Sequence, residues 1–250
     1  MKIYIFLIFL TISFTGCKNK NSHEILVSSA MSMKGAMEKL GKLYEEKNPG
    51  DKVIFNFGSS GKLAIQIKSG APSDVYASAS EKEMDLLNKQ GFIIANSSKY
   101  FAKNSIVLIE SSKSSQKIKK PEDLLNIQGK IALGNPKIVP AGRYAKEILI
   151  HYNLWKKLKG KMVFGETVRQ VLDYVVRNEV DAGFVFYTDY KLKKSHLIKS
   201  IAFPKGISSP INYMIGVVKG TKNETSSRKF IKLLSSPEGT RILKDFGLHR

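Results

Sequence analysis

Residues 24–57 read E-I-L-V-S-S-A-M-S-M-K-G-A-M-E-K-L-G-K-L-Y-E-E-K-N-P-G-D-K-V-I-F-N-F. The run E-I-L-V-S (24–28) is short and β-rich. Met33, Ala36, Met37, Leu40, Leu43 and Tyr44 then recur at helical spacing, and Pro49-Gly50 stops the helix. K-V-I-F-N-F (52–57) returns to a strand. Strand, helix and strand joined by turns of a few residues make one βαβ unit, and two parallel strands need such a crossover.

The same alternation runs through the rest of the chain. Leu63 to Ser69 reads as a short helix with Gly70 past its end. D-V-Y-A-S-A (74–79) is a strand, followed by a helix through Met84 and Leu87. Strands follow at 104–110 (N-S-I-V-L-I-E) and 130–134 (K-I-A-L-G). Tyr144, Ile148, Leu149 and Tyr152 share a helix face. K-M-V-F (161–164) precedes a helix carrying Val168, Val171, Leu172, Val175 and Val176. D-A-G-F-V-F (181–186) is nearly all apolar, as a buried parallel strand is. S-P-I-N-Y-M-I-G-V-V (209–218) is a long strand, and Ser236-Pro237-Glu238 has the order of a helix start. So many strands exceed one small sheet. The expected fold is α/β with two lobes, each a mostly parallel sheet flanked by helices. Two strands, near 104–110 and 209–218, carry the chain across. Ligands in such folds sit at the carboxyl ends of strands, often between lobes.

The chain has 250 residues, 42% hydrophobic and 25% charged, the balance of a globular protein rather than a disordered one. No repeat period marks a solenoid. Only the first fifteen or so residues form a long apolar run, which excludes a polytopic membrane protein. Lys2 opens that run, and Thr15, Gly16 and Cys17 close it, the pattern of a secretory signal. F-T-G-C resembles a bacterial lipoprotein box, with Phe14 where Leu is usual. The expectation is a signal peptide over 1–16, a lipidated Cys17, and a polar tether over 17–23. Ordinary signal cleavage near Gly16 is the alternative. Export to the periplasm or cell surface, on a lipid anchor in a bacterial membrane, removes the chain from ATP and NAD pools.

Charge and rare residues narrow the function. The net charge is +20, but only six of the 41 basic residues are Arg, and the basic residues as a whole are spread along the chain. Nucleic-acid readers cluster Arg and Lys among aromatics, so no nucleic-acid partner is expected. A Lys-rich surface still gathers an anionic ligand. An adhesin using this charge is a remaining alternative. A single Cys and four scattered histidines (His23, His151, His196, His249) give neither a disulfide nor a spaced metal-ligand set. G-S-S-G-K (58–62) looks like a P-loop, but Asn56 stands where its first Gly belongs and Leu63 replaces the Ser or Thr after the Lys. An exported hydrolase would need a catalytic motif such as G-x-S-x-G or H-E-x-x-H, and the sequence has neither. Asp74, Asp181 and Asp189 read as strand-end and capping residues. No enzyme activity and no cofactor are expected.

Several strand-to-helix turns share one chemistry. Ser32 precedes the first helix, Ser59 and Ser60 precede the second, V-P-A-G-R-Y-A (139–145) opens a third and G-E-T-V-R (165–169) a fourth. Each exposes backbone N–H groups at the positive end of a helix. Taken singly, each is an ordinary helix cap. Converging on one cleft, they would bind a small oxyanion with neutral donors.

These stretches resemble the periplasmic molybdate-binding proteins of bacterial ATP-binding-cassette transporters, over about Ile25 to Gly247. The resemblance is carried by A-M-S-M-x-x-A-M (30–37), F-G-S-S-G-x-L-A (57–64), G-A-P-S-D-V-Y-A-S-A (70–79), G-N-P-x-x-V-P-A-G-R-Y-A (134–145), V-R-Q-V-L (168–172) and D-A-G-F-V-F-Y-T-D (181–189). It implies a two-lobed type II solute-binding fold that closes on a tetrahedral oxyanion: lobe 1 over 24–104 and 211–250, lobe 2 over 105–210. The implied ligand is molybdate or tungstate, with sulfate as the alternative cargo, and the implied partner is a membrane permease. A monomer is implied too. Carried over by position, the binding residues are Ser32, Ser60, Ala141, Val168 and Phe186, with Tyr187, Ser59 and Met31 as further candidates. The ligand's metal is held only through these oxyanion contacts, with no free-cation site. At position 186 the family commonly has Tyr, whose hydroxyl Phe186 lacks. Tyr187 on a continuing strand would point to the opposite face unless a bulge re-aims it; otherwise a water or backbone group replaces the hydroxyl. A fully ionised dianion offers only acceptors, so it suits an all-donor pocket. Protonated phosphate wants a carboxylate, and none of these positions is acidic.

Overall fold

A computed structural model describes residues 23–111, 117–193, 198–204 and 206–249. The expected signal peptide, Cys17 and the tether up to residue 22 lie outside the described residues.

Among the described residues, eighteen strands and α-helices follow in chain order. They are β1 (Glu24–Ala30), α1 (Lys34–Lys47), β2 (Lys52–Gly58), α2 (Ser60–Lys68), β3 (Val75–Ser78), α3 (Glu81–Lys89), β4 (Lys99–Lys103), β5 (Ile106–Ser111) and β6 (Ile131–Gly134). After these come α4 (Pro140–His151), β7 (Met162–Gly165), α5 (Val168–Val176), β8 (Ala182–Phe186), α6 (Tyr187–Leu192), β9 (Ile198–Ala202), β10 (Asn212–Val217), α7 (Glu224–Leu234) and α8 (Pro237–Asp245). They form two five-stranded sheets, ordered β2-β1-β3-β10-β4 and β7-β6-β8-β5-β9. In the first sheet β1 pairs in parallel with β2 and β3, and β10 runs antiparallel to both β3 and β4. In the second, β6 pairs in parallel with β7 and β8, and β5 runs antiparallel to β8 and β9. In each sheet four strands therefore point one way and one is reversed. The reversed strand is the first one laid down after the chain arrives from the other sheet.

The expected elements form for the expected reasons. α1 buries Ala36, Met37, Leu40 and Tyr44, and Asn48 closes its end by donating from Nδ2 to the Tyr44 carbonyl at 2.8 Å. β8 is buried along its whole length between β6 and β5. Ser236 caps α8 by accepting from the Gly239 N–H at 3.0 Å. Tyr44, Phe55 and Phe230 pack edge to face in the first lobe, and Phe184 stacks on Phe203 in the second. Four elements were absent from the sequence reading: β4, α6, β9 and α7. The strand read through residue 186 does not continue. The chain turns into α6 at Tyr187, whose N–H donates to the Ser105 carbonyl at 2.9 Å.

The link from β6 to α4 is the tightest backbone approach that bears on the site. A Cβ on Gly142 would lie 1.8 Å from the Gly134 carbonyl oxygen. Only glycine lets α4 begin so close to the end of its strand. Gly142→Ala is expected to destabilise the fold by more than about 2 kcal/mol and to lower the thermal midpoint by about 5 °C or more. Gly160→Ala, with nothing within 4 Å of the added carbon, is the near-neutral control. Circular-dichroism melts of the two variants make the comparison.

Candidate functional site

The carboxyl ends of the parallel strands in the two sheets face one another. Between them lies a narrow cavity, with little free space, lined by Ala30, Met31, Ser32, Gly58, Ser59, Ser60, Ala79, Val139, Pro140, Val168 and Phe186. Six of the residues picked from sequence are therefore brought together: Ser32, Ser60, Val168, Phe186, Ser59 and Met31. Ala141 is fully buried one residue beyond Pro140, in the first turn of α4. Tyr187 is not in the lining. Its ring packs on Tyr190 and His249 instead, because the start of α6 swings it away from the cavity. Broader clefts lie on the surface, one of about 570 Å³ beside Phe203, Pro204 and residues 206–212, and none of the residues picked from sequence lines it.

Each lining element arrives as a helix start. Ser32 sits in a 3-10 turn, Met31–Met33, that leads into α1. α2, α4 and α5 begin at Ser60, Pro140 and Val168. The first-turn N–H groups of these helices, among them those of Ser60, Ala141 and Val168, have no intrahelical acceptor. Ser59 and Val139 occupy the N-cap positions of α2 and α4 without bonding through their side chains. The positive ends of α2 and α4 are thus left open to an anion, whereas Thr167 caps α5 by accepting from the Gln170 N–H at 3.1 Å and leaves the Val168 N–H open.

The hydroxyls carry the more specific information. Ser60 is fully buried, and its Oγ accepts from the Ala79 N–H at 3.0 Å. With that lone pair used, its proton is free to be donated. Ser32 Oγ lies 2.9 Å from Tyr213 Oη. Ser59 Oγ is buried with no hydrogen-bond partner among the described residues, and such a group is normally satisfied. Among the described residues, no charged side chain lines the cavity. Phe186 contributes apolar wall, held edge to face by Tyr213 (5.7 Å between ring centres) and Tyr144 (6.4 Å).

Contacts across the mouth hold the lobes together. The Gly61 N–H donates to the Ile138 carbonyl at 3.0 Å. Arg143 on α4 grips Glu83 on α3 through both guanidinium ends, at 2.8 and 3.1 Å, and donates to Ser80 Oγ at 2.7 Å. Both partners of this bidentate pair are largely shielded, which raises its worth above that of an exposed pair. Lys62 and Glu166, 3.3 Å apart, form an exposed pair at the rim. Arg143, Glu83, Tyr213 and Ala79 were not singled out from sequence. Only Tyr213 gave a signal: a Tyr inside a buried apolar strand needs a partner for its hydroxyl.

The three aspartates are apart and engaged. Asp74 Oδ2 accepts from the Leu26 N–H at 2.7 Å, and Asp181 Oδ2 accepts from the Gly129 N–H at 2.7 Å. Asp189, fully buried behind the cavity, faces Arg169 Nε at 3.3 Å, and its Oδ2 has no hydrogen-bond partner among the described residues. Burial pushes its carboxyl up to about 6 against the pull of Arg169. The folded chain then keeps a proton that the unfolded chain has released, so this group's contribution to stability falls as pH rises from about 4 to about 6. The thermal midpoint of the parent chain, relative to Asp189→Asn, is expected to rise as pH is lowered from about 7 to about 5. Paired calorimetric scans at the two pH values test the sign.

Comparison with known proteins bears on the family and the fold. A family model described as bacterial extracellular solute-binding protein matches residues 25–249. The molybdate-binding protein ModA of Haemophilus influenzae is 37% identical over 231 residues, 90% of each chain. The molybdate-binding protein ModA of Escherichia coli is 34% identical over 230 residues, 90% of this chain and 88% of that one. Among solved structures, the periplasmic molybdate-binding protein of Azotobacter vinelandii superposes with a TM-score of 0.83 at 26% identity, covering 90% of this chain and 99% of that one.

Proposed function

The chain belongs to the bacterial extracellular solute-binding protein family, which is not an enzyme family, and from that premise we propose that it captures molybdate, or tungstate, between its lobes and hands it to an ATP-binding-cassette permease. The observation that carries this reading is the neutral, donor-rich cavity at converging helix starts. Ser60 and Ser59 offer hydroxyl protons, Ser60, Ala141 and Val168 offer backbone N–H groups, and no carboxylate among the described residues of the wall offers an acceptor. A tetrahedral dianion has only lone pairs to present, so it uses every donor and leaves none unpaired. The relatives named for molybdate support the choice of cargo.

In this reading residues 24–104 and 211–250 form one lobe and 105–210 the other, and the lobes close on the anion. Arg143 and Glu83 then act as a latch formed on closure. Cys17 carries the lipid that keeps the protein at the membrane, as a monomer, after removal of residues 1–16. No bond is made or broken in the ligand. Phe186 fills the family's tyrosine position with apolar wall, and the remaining donors hold the anion.

Isothermal titration with molybdate, tungstate, sulfate and phosphate is the direct test. Molybdate binding with sulfate silent is expected; heat from sulfate alone would change the cargo. Ser60→Ala is expected to weaken molybdate binding about 10- to 100-fold, the loss of a hydrogen bond to a charged group, and unchanged affinity would remove Ser60 from the site. Glu83→Gln is expected to shrink the rise in thermal midpoint caused by molybdate while leaving the ligand-free midpoint within about 2 °C.

A further inference from the structure

We propose that Asn104 and Tyr213 are positioning residues that occupy one lone pair of the Ser32 hydroxyl from behind and keep its proton off Tyr213, so that Ser32 favours donating to an anion in the cavity over accepting from one. The consequence for the ligand rests on the oxyanion reading above; the proton arrangement itself does not.

The argument is a complete accounting of protons. The Ser105 backbone N–H donates to Asn104 Oδ1 at 2.9 Å. A backbone N–H can only donate, so this contact fixes which end of the amide is oxygen. The amide nitrogen then faces Thr188 Oγ1 at 3.0 Å and Tyr213 Oη at 2.9 Å. Both of its protons are spent, one on each. Tyr213 is fully buried, and burial raises its phenol far above the ordinary range, so the hydroxyl is neutral and carries one proton. Its oxygen already accepts from Asn104. Ser32 Oγ, at 2.9 Å, is the acceptor available to its proton among the described residues. If the bond ran the other way, from Ser32 to Tyr213, the Tyr213 proton would be buried without a partner, an expensive state.

Ser32 therefore receives a proton from behind and keeps its own for the cavity that it lines. Ala79 treats Ser60 in the same way, with a backbone N–H in place of the phenol. The two serines differ in one respect. The Ser60 arrangement is fixed by backbone, whereas the Ser32 arrangement depends on two side chains and can be reversed by changing one of them. Asn104 sits in the short link between β4 and β5 and holds Thr188 of the second lobe with the same amide that holds Tyr213 of the first. An anion carrying a proton needs an acceptor, and Ser32 turns both of its lone pairs to that use only if the whole row turns round.

The test uses the full chain at about pH 6, with molybdate as ligand and inorganic phosphate, in its protonated forms, as competitor. Tyr213→Phe is expected to lower molybdate affinity about 10-fold and to let phosphate compete at lower concentration. Asn104→Asp turns the row round. The new carboxylate takes the Tyr213 proton, Tyr213 Oη takes that of Ser32, and Ser32 shows a lone pair to the cavity. The molybdate-to-phosphate ratio of this variant should narrow further. In the Tyr213→Phe background the same charge change has no row to turn, so the difference between the two steps isolates the row from the charge. A ratio equal in all variants, or phosphate silent in all, overturns the proposal; general loosening would weaken both anions together. A ligand-free arm separates this from the reading of function. Proton NMR on tyrosine-labelled parent chain should find a slowly exchanging Tyr213 hydroxyl proton close to the Ser32 methylene. A fast-exchanging proton overturns the row even if molybdate binds, and a slow one sustains it even if molybdate does not.

Discussion

A buried hydroxyl has one proton, and its neighbours decide where that proton goes. The rest of the site depends on this constraint. If a protein group donates to the oxygen from behind, the hydroxyl proton is left to be donated forward. The Ala79 N–H does this for Ser60, and the hydroxyl of Tyr213 does it for Ser32. The helix starts add donors that are fixed by covalent geometry. A cavity built from such groups has a single electrostatic preference, obtained without a charged side chain among the described residues of its wall.

The fold supplies the convergence. Parallel strands put their carboxyl ends on one edge of each sheet, and each following helix begins there. Setting two such edges face to face brings the starts of α2, α4 and α5 to one small space. Glycine at position 142 lets α4 begin against the end of β6, and glycine at position 61 lets α2 approach the Ile138 carbonyl across the mouth, where a Cβ would come within 2.6 Å. The charged groups stand at one remove. Arg143 and Glu83 join the lobes at the rim, and Arg169 and Asp189 pair behind the wall.

Much of this was legible in the sequence, for identifiable reasons. Helices with a clean apolar face, such as α1 and α5, and strands bounded by turn residues, such as β1 and β8, read correctly because period and punctuation agree. The missed elements lack one or the other. β4 is five residues, K-Y-F-A-K, with Lys at both ends. α6 follows β8 with no turn residue between, so its aromatics read as more strand. α7 starts with E-T-S-S, which hides the face formed by Phe230, Ile231 and Leu234. The serines and helix starts of the site were visible because each has a local signature. Asn104 and Glu83 were not, because their roles come from partners 60 to 109 residues away in sequence.

The uncharged wall of the cavity bears on how the cargo leaves as well as on how it stays. An anion held by a buried cation must break an ion pair to escape, and that attraction persists after the site begins to open. Here the donors are ordinary amides and hydroxyls, which water can match one for one. They win only while water is kept out. Parting the rim readmits solvent, and the advantage of the site over bulk water disappears with the first few molecules. Grip and release are thus set by the same variable, the dryness of the cavity, and a partner that pries the lobes apart need not compete for the anion at all.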